Sequence, residues 1–258
     1  MDNFKLTTYD GYDVAWGVNR FPDGQVQVWI SNSVMAHAGR LKLKCRLTSP
    51  EDMHILDQLT TLIAKLPVTI LYLYGSRCDK DTQGDRVVYN QHSELCKRLT
   101  YAESVLMPHG ILPYGVPEII PPDPGIDNYD VVVFPDESAK RRFGKYIFNS
   151  KPTVTCSKAR DQITGNITEY RVPLSEGVRL IGKRVLVVDD ICDGGATFKM
   201  IADEIRSVVS SMDLYVVHGI FSKPAADLFL HGYSHIYTTN SYKEWVSSEH
   251  LTVFDVWK

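Results

Sequence analysis

Four short apolar runs divide the chain, and their spacing leaves little choice of fold class. VTILYLY at Val68–Tyr74, YDVVVF at Tyr129–Phe134, RVLVVDD at Arg184–Asp190 and LYVVHGIF at Leu214–Phe221 are rich in β-branched or aromatic residues. Runs of this kind, bounded by polar or turn residues, are the doubly buried strands of a parallel sheet. Between them lie stretches of helical character at Asp52–Lys65, Gln91–Glu103, Glu137–Phe148 and Ala196–Val208. Repeated alternation of strand and helix predicts an α/β fold. The front of the chain differs. Gln25–Ile30 (QVQVWI) and Lys42–Arg46 (KLKCR) alternate residue by residue, which predicts strands with one wetter face.

A length of 258 residues accommodates one large domain or two modest ones, each able to bury its own core. The proline-rich segment 114–130 fits neither helix nor strand and is predicted to be a connector, giving domains 1–124 and 125–258. No repeat of 20 to 50 residues is present in the sequence. With 28 Lys and Arg against 31 Asp and Glu, the formal charge of -3 argues against a protein that wraps nucleic acid or lies on anionic lipid. It leaves room for a local basic pocket. The 5 cysteines are odd in number and form no CxxC pair, which favours a reducing compartment over a disulfide framework and offers little for zinc. The opening MDNFKLTTYDGYD is not a signal peptide, and no apolar run reaches the roughly 18 to 20 residues a membrane span needs. The expectation is a cytoplasmic protein with no nucleic-acid or membrane partner.

The most informative stretch for chemistry is GKRVLVVDDICDGGAT, residues 182–197. A buried strand carries Asp189 and Asp190 to its C-terminal end, where open α/β sheets bind ligands. Asp193-Gly194-Gly195-Ala196-Thr197 follows and is predicted to curl and open a helix. Small residues let backbone N–H groups approach a phosphate, and the helix N-terminus adds favourable partial charge. Thr197 adds a hydroxyl. Two carboxylates repel a bare phosphate, so they suit the hydroxyls of a sugar or a divalent cation. No GxxxxGK[ST] occurs, which disfavours an ordinary P-loop ATPase.

This stretch resembles the phosphoribosyl-pyrophosphate loop shared by type I phosphoribosyltransferases and ribose-phosphate pyrophosphokinases (PRPP synthetases). Further segments resemble the pyrophosphokinases in order along residues 20 to 241. Arg20-Phe21-Pro22-Asp23-Gly24-Gln25 is similar to RF-x-DGE, and Gly75-Ser76-Arg77-Cys78-Asp79-Lys80 to the ARQDR segment. His109-Gly110 is similar to the HA pair of DLHA, and Phe134-Pro135-Asp136 to SPD. Ser157-Lys158-Ala159-Arg160 with Asn166 and Glu169 resembles the flexible-loop pattern KRR…N..E. Val217-His218-Gly219-Ile220-Phe221-Ser222 resembles THG-[LI]-FS, and Thr238-Thr239-Asn240-Ser241 the VTNT end.

The resemblance implies two type I phosphoribosyltransferase-like α/β domains with central parallel sheets, the first on the ATP side and the second carrying the ribose-phosphate loop. It implies magnesium-dependent transfer of pyrophosphate from ATP to a 5-phosphorylated ribose. Lys158 and Arg160, on a mobile loop, would stabilise the transferring group, with His109 as the nearest candidate for a proton relay. Phe21, Asp23, Gln25, Arg77, Cys78, Asp79 and His109 would bind ATP. Asp189 and Asp190 would hold the ribose hydroxyls, directly or through magnesium, and Asp193, Gly194, Gly195, Ala196 and Thr197 the 5-phosphate. His109 and Asp136 would be the magnesium residues. Adenine contacts from a neighbouring subunit would make the protein a homodimer or a higher homo-oligomer.

Departures from the family pattern bear on the substrate. Gln25 stands where the family has an acid, Cys78 where it has a glutamine, and Ser138-Ala139 where it has a glycine pair. The loop reads DGGAT in place of DTAGT, and a basic cluster follows at Lys140-Arg141-Arg142. Ribose 5-phosphate is the acceptor the resemblance implies, while the changed loop leaves room for a ribose whose 5-phosphate is esterified, such as ADP-ribose, an acceptor used by phage relatives that rebuild NAD. Two other readings share the loop: a phosphoribosyltransferase that consumes PRPP, and an inactive regulatory subunit.

Overall fold

The computed structural model describes residues 3–35, 38–76, 102–106, 116–160, 167–173 and 180–258. The chain divides into two compact units, Met1–Ile120 with Trp257, and Pro121–Val256 with Lys258. Each unit has its own sheet and its own apolar core.

In the first unit, strands β1 (Phe4–Thr8), β4 (Leu41–Leu47), β5 (Val68–Leu73), β6 (Ala102–Leu106) and β7 (Glu118–Ile119) form one sheet in the order β1-β4-β5-β6-β7. Strand β1 is antiparallel to β4, and the remaining pairs are parallel. Strands β2 (Trp16–Arg20) and β3 (Val26–Ile30) form a separate antiparallel hairpin. The helix Pro50–Leu62 begins as its sequence dictates. Ser49 caps it by accepting from Asp52 N, Pro50 occupies the first turn, and Glu51 and Asp52 complement the helix dipole. Its Met53, Leu56 and Leu59, with Ile63 just past its end, join the core of Leu43, Cys45, Val68 and Ile70. The Gln58 side chain also completes β3: its amide donates to Val26 O at 2.8 Å and its Oε1 accepts from Val28 N at 2.8 Å.

In the second unit six strands pair in the order β15-β14-β13-β12-β8-β9, all parallel. They are β8 (Val131–Phe134), β9 (Thr153–Thr155), β12 (Arg184–Cys192), β13 (Ser211–Gly219), β14 (His235–Thr239) and β15 (Leu251–Phe254). Val131 to Phe134 and Val185 to Val188 are buried without a break, as expected of strands covered on both faces. The helix Ala196–Ile205 lays Phe198, Ile201, Ala202 and Ile205 against this sheet, a 3-4-7 stripe. Strands β10 (Ser157–Arg160) and β11 (Ile167–Arg171) form a second antiparallel hairpin.

Three sequence expectations change. The helix expected over Glu137–Phe148 ends at Phe143, where Gly144 closes it and a 3-10 turn follows at Ile147–Ser150. The helix expected over Gln91–Glu103 cannot include its last two residues, because Ala102 and Glu103 begin β6; its earlier part lies outside the described residues. The Lys158–Arg160 segment, expected as a loop, is strand: Ser157 pairs with Arg171, Lys158 with Tyr170 and Ala159 with Glu169, with a bulge before Arg160. Cross-strand pairing decided this, and local composition does not encode it. Among the described residues no helix is long and apolar enough to cross a membrane.

Candidate functional site

The strand order of the second sheet reverses between β8 and β12: the chain runs outward from β8 to β9 and, on the other side, from β12 through β13 and β14 to β15. In open α/β sheets ligands bind at the C-terminal ends of the strands flanking such a point. Strand β8 delivers Asp136, and β12 delivers Asp189, Asp190 and the loop Asp193–Thr197.

The loop after β12 is built to approach an anion. Gly195 has φ +77 and starts the helix Ala196–Ile205. A Cβ there would stand 3.1 Å from Leu228 Cδ2, so backbone conformation and space both favour glycine. At Gly194 the closest atom to such a Cβ would be 3.8 Å away, which is ordinary contact. None of the N–H groups of Gly194, Gly195, Ala196 and Thr197 donates to a described backbone carbonyl. Four amides at the N-terminus of a ten-residue helix make a donor nest for a phosphate.

Beside the nest stands the acidic pair. The Asp189 carboxylate accepts from Asp190 N at 2.9 Å, and Asp190 is 1% exposed. Arg142, from the helix Glu137–Phe143, places Nη2 at 3.2 Å from Asp190 Oδ1 and 3.5 Å from Asp189 Oδ1. Burial pushes the Asp189 carboxyl well above the usual carboxylate range, the Asp190 charge adds to this, and Arg142 opposes it. Arg142 thus faces inward, whereas its sequence neighbours do not: Lys140 reaches Glu137 at 3.8 Å, and Arg141 donates to Ser138 at 3.3 Å. The run Lys140-Arg141-Arg142 does not show this division as a string of residues. The available signal was the helical spacing of buried Ala139 and Phe143, which turns Arg142 toward the sheet.

Asp136 has a structural task at the same point. Its carboxylate caps the helix Glu137–Phe143 by accepting from Ala139 N at 2.8 Å. Among the described residues no group of three or more histidines, cysteines or carboxylates could hold a metal ion by itself. Asp189 and Asp190 supply hard oxygen donors, which fits a magnesium ion whose other ligands come from substrate and water. Cys192, just before the loop, is buried, and its thiol is pushed up to about 12 by burial and then by Asp189 and Asp193. It is no thiolate nucleophile at neutral pH.

Two segments singled out in the sequence meet at the next strands. His218, at the end of β13, shares a hydrogen bond of 2.7 Å with Ser241 Oγ beyond β14, and Thr239 Oγ1 donates to Val217 O at 2.7 Å. The hairpin β10–β11 is rooted on the loop's own helix, since Val172 N donates to Glu204 Oε2 at 2.7 Å.

In the first unit, Phe21, Asp23 and Gln25 form the tip of the β2–β3 hairpin. Phe21 N donates to Gln25 O, Gly24 N to Phe21 O, and Gln25 N to Asp23 Oδ1. Phe21 is 45% exposed, and Arg20 ties the hairpin to the following helix through Glu51 at 2.7 Å. Arg77, Cys78, Asp79 and His109 lie outside the described residues.

Among solved structures, the chain is similar to phosphoribosylpyrophosphate synthetase from Mycobacterium smegmatis, with TM-score 0.72, 20% identity, and coverage of 96% of this chain and 88% of that one. It also aligns with orotate phosphoribosyltransferase from Aeropyrum pernix at TM-score 0.31 and 13% identity, covering 84% and 81% of the two chains. Purine phosphoribosyltransferase from Pyrococcus horikoshii aligns at TM-score 0.28 and 13% identity, covering 51% and 79%. No family model and no curated protein sequence matches the chain. The first likeness is one of fold: an α/β architecture with two sheets dominated by parallel strands, of the type I phosphoribosyltransferase-like double-domain kind.

Proposed function

We propose that the chain is a pyrophosphokinase of the PRPP synthetase family, transferring pyrophosphate from ATP to the anomeric hydroxyl of a 5-phosphorylated ribose. The observation that carries this reading is the pairing, on one loop system, of a donor nest for phosphate with a carboxylate pair for vicinal hydroxyls. In this reading residues 1–124 form the ATP side and 125–258 the sugar-phosphate side. The nest of Asp193–Thr197 seats the 5-phosphate. Asp189 and Asp190 accept from the ribose hydroxyls, and Arg142 offsets part of their mutual repulsion.

The anomeric oxygen attacks the β-phosphorus of ATP, the bond from that phosphorus to the oxygen bridging the α-phosphate breaks, and AMP leaves while the hydroxyl proton passes to solvent. Such a reaction depends mainly on positioning and charge neutralisation. Lys158 and Arg160, carried by the hairpin rooted on Glu204, supply cationic charge to the transferring group. Phe21, Asp23, Gln25, Arg77, Cys78, Asp79 and His109 belong to the ATP side, with the hairpin tip at Phe21 serving a second copy of the chain in a homodimer or larger homo-oligomer. His109 and Asp136 would hold magnesium for the ATP phosphates, Asp189 and Asp190 would hold the ribose hydroxyls directly or through a magnesium ion, and the ion would supply neutralisation of phosphate charge.

Ribose 5-phosphate is the first acceptor. ADP-ribose is the second reading, resting on the DGGAT loop that stands where the family has DTAGT. The test is incubation with ATP, magnesium and each acceptor separately, followed by mass spectrometry. AMP with a pyrophosphorylated sugar supports the reading and identifies the acceptor. AMP from neither acceptor overturns it, and base-dependent consumption of PRPP without ATP moves the assignment to a phosphoribosyltransferase.

A further inference from the structure

We propose that the turn after β13, carrying Ser222 and Lys223, is the outer wall of the phosphate site, with Lys223 the cation that sets affinity for the sugar's phosphate. This rests on the sugar-phosphate reading of the Asp193–Thr197 loop and deepens it. The turn is tied to that loop at its root, because Ile220 N and Phe221 N both donate to Cys192 O, at 2.9 and 3.1 Å. Phe221 then adopts φ +46, a left-handed conformation that a bulky side chain keeps only where its surroundings hold it. They do so from two sides. The Phe221 ring packs edge-on to Trp245 with centroids 5.5 Å apart, and it fills the space over Gly219, where a Cβ would lie 2.3 Å from Phe221 Cε2. Trp245 is itself fixed by donating Nε1–H to Gly219 O at 2.7 Å.

The strained residue has a directional consequence. Immediately after it, Ser222 Oγ stands 3.8 Å from the Cβ position of Gly194, and Lys223 Cδ and Cε stand 3.9 and 4.0 Å from it. The lysine stem therefore lies beside Gly194, with its ammonium one bond further on. Lys199, the other nearby lysine, is paired with Asp227 at 3.2 Å, whereas Lys223 is exposed and forms no ion pair among the described residues. A phosphate seated beside Asp189 and Asp190 needs positive charge that Arg142, already turned to those carboxylates, does not bring. Lys223 brings it.

The test is calorimetric titration of ribose 5-phosphate, without ATP, into the unaltered chain and into Lys223→Met, Lys223→Arg and Ser222→Ala. Loss of one charge-assisted contact is expected to weaken Lys223→Met about tenfold and to flatten its salt dependence. Lys223→Arg is expected to recover most of the affinity, and Ser222→Ala to lose only a few-fold, roughly the worth of a neutral hydrogen bond. Unchanged affinity and salt slope in Lys223→Met overturn the proposal, as does a loss that Lys223→Arg does not recover. Failure of the unaltered chain to bind either ribose 5-phosphate or ADP-ribose overturns the sugar-phosphate reading itself, and the proposal with it.

Discussion

Gly194 and Gly195 are neighbours in one loop, yet they are glycine for different reasons. Gly195 occupies the left-handed region and faces Leu228, while Gly194 has ordinary room. Gly195→Ala is therefore expected to cost roughly 1 to 2 kcal/mol of stability, with Gly194→Ala close to neutral, as thermal unfolding would register. The acidic pair gives a prediction with a definite sign. Because the folded-state pKa of Asp189 is raised, the native chain binds more protons than the unfolded one between the usual carboxylate range and that raised value. Stability contributed by this residue is greatest at low pH and falls as pH rises through the interval, by about 1.4 kcal/mol per unit of pKa difference. Asp189→Asn removes the fall, so unfolding curves recorded upward from the ordinary carboxylate range should show a variant stabilised at neutral pH, and titration with ribose 5-phosphate should show its binding lost. Arg142→Met should do the opposite, destabilising the chain at neutral pH and less so in acid. Asp189, Asp190 and the glycines were legible in the sequence because strand and turn chemistry are local. The inward turn of Arg142 and the approach of Lys223 were not, since both depend on segments distant in the chain meeting at one end of the sheet, as Arg142 meets Asp190 across 48 residues.

Elements that owe their form to a buried face were the readable ones: β8, β12 and β13 each overlap the strand read from an apolar run, and the helix Ala196–Ile205 shows its stripe. The β10–β11 hairpin owes its form to pairing between two polar segments, and composition alone left Lys158–Arg160 as loop. The hairpin's attachment suggests how it acts. Glu204 accepts from Val172 N just after β11 and so joins the hairpin to the helix that follows the Asp193–Gly195 loop. Glu204→Ala is expected to speed hydrogen exchange across β10 and β11 and to lower kcat, while affinity for ribose 5-phosphate stays as it was. A matched fall in that affinity would mean the hairpin shapes the nest itself. Lys158→Ala should lower kcat by about a hundredfold or more if its charge acts on the transferring group, in line with loss of a single transition-state donor.

At the scale of the whole molecule, the chain is built of two α/β units with separate cores, and the proposed function gives the sugar phosphate to one and the nucleotide to the other. The alternation of apolar runs and helical stretches made that architecture readable, because a parallel sheet needs a crossover between successive strands. What the alternation cannot encode is which bond the assembled site breaks. A pyrophosphokinase keeps the anomeric oxygen on the sugar, whereas a phosphoribosyltransferase breaks the bond from carbon to that oxygen. The most direct measurement uses ribose 5-phosphate labelled with 18O at the anomeric hydroxyl, incubated with ATP and magnesium and analysed by mass spectrometry. The account predicts label in the pyrophosphorylated sugar, at the oxygen joining C1 to phosphorus, and unlabelled AMP. Label released from the sugar, or no AMP, would contradict it.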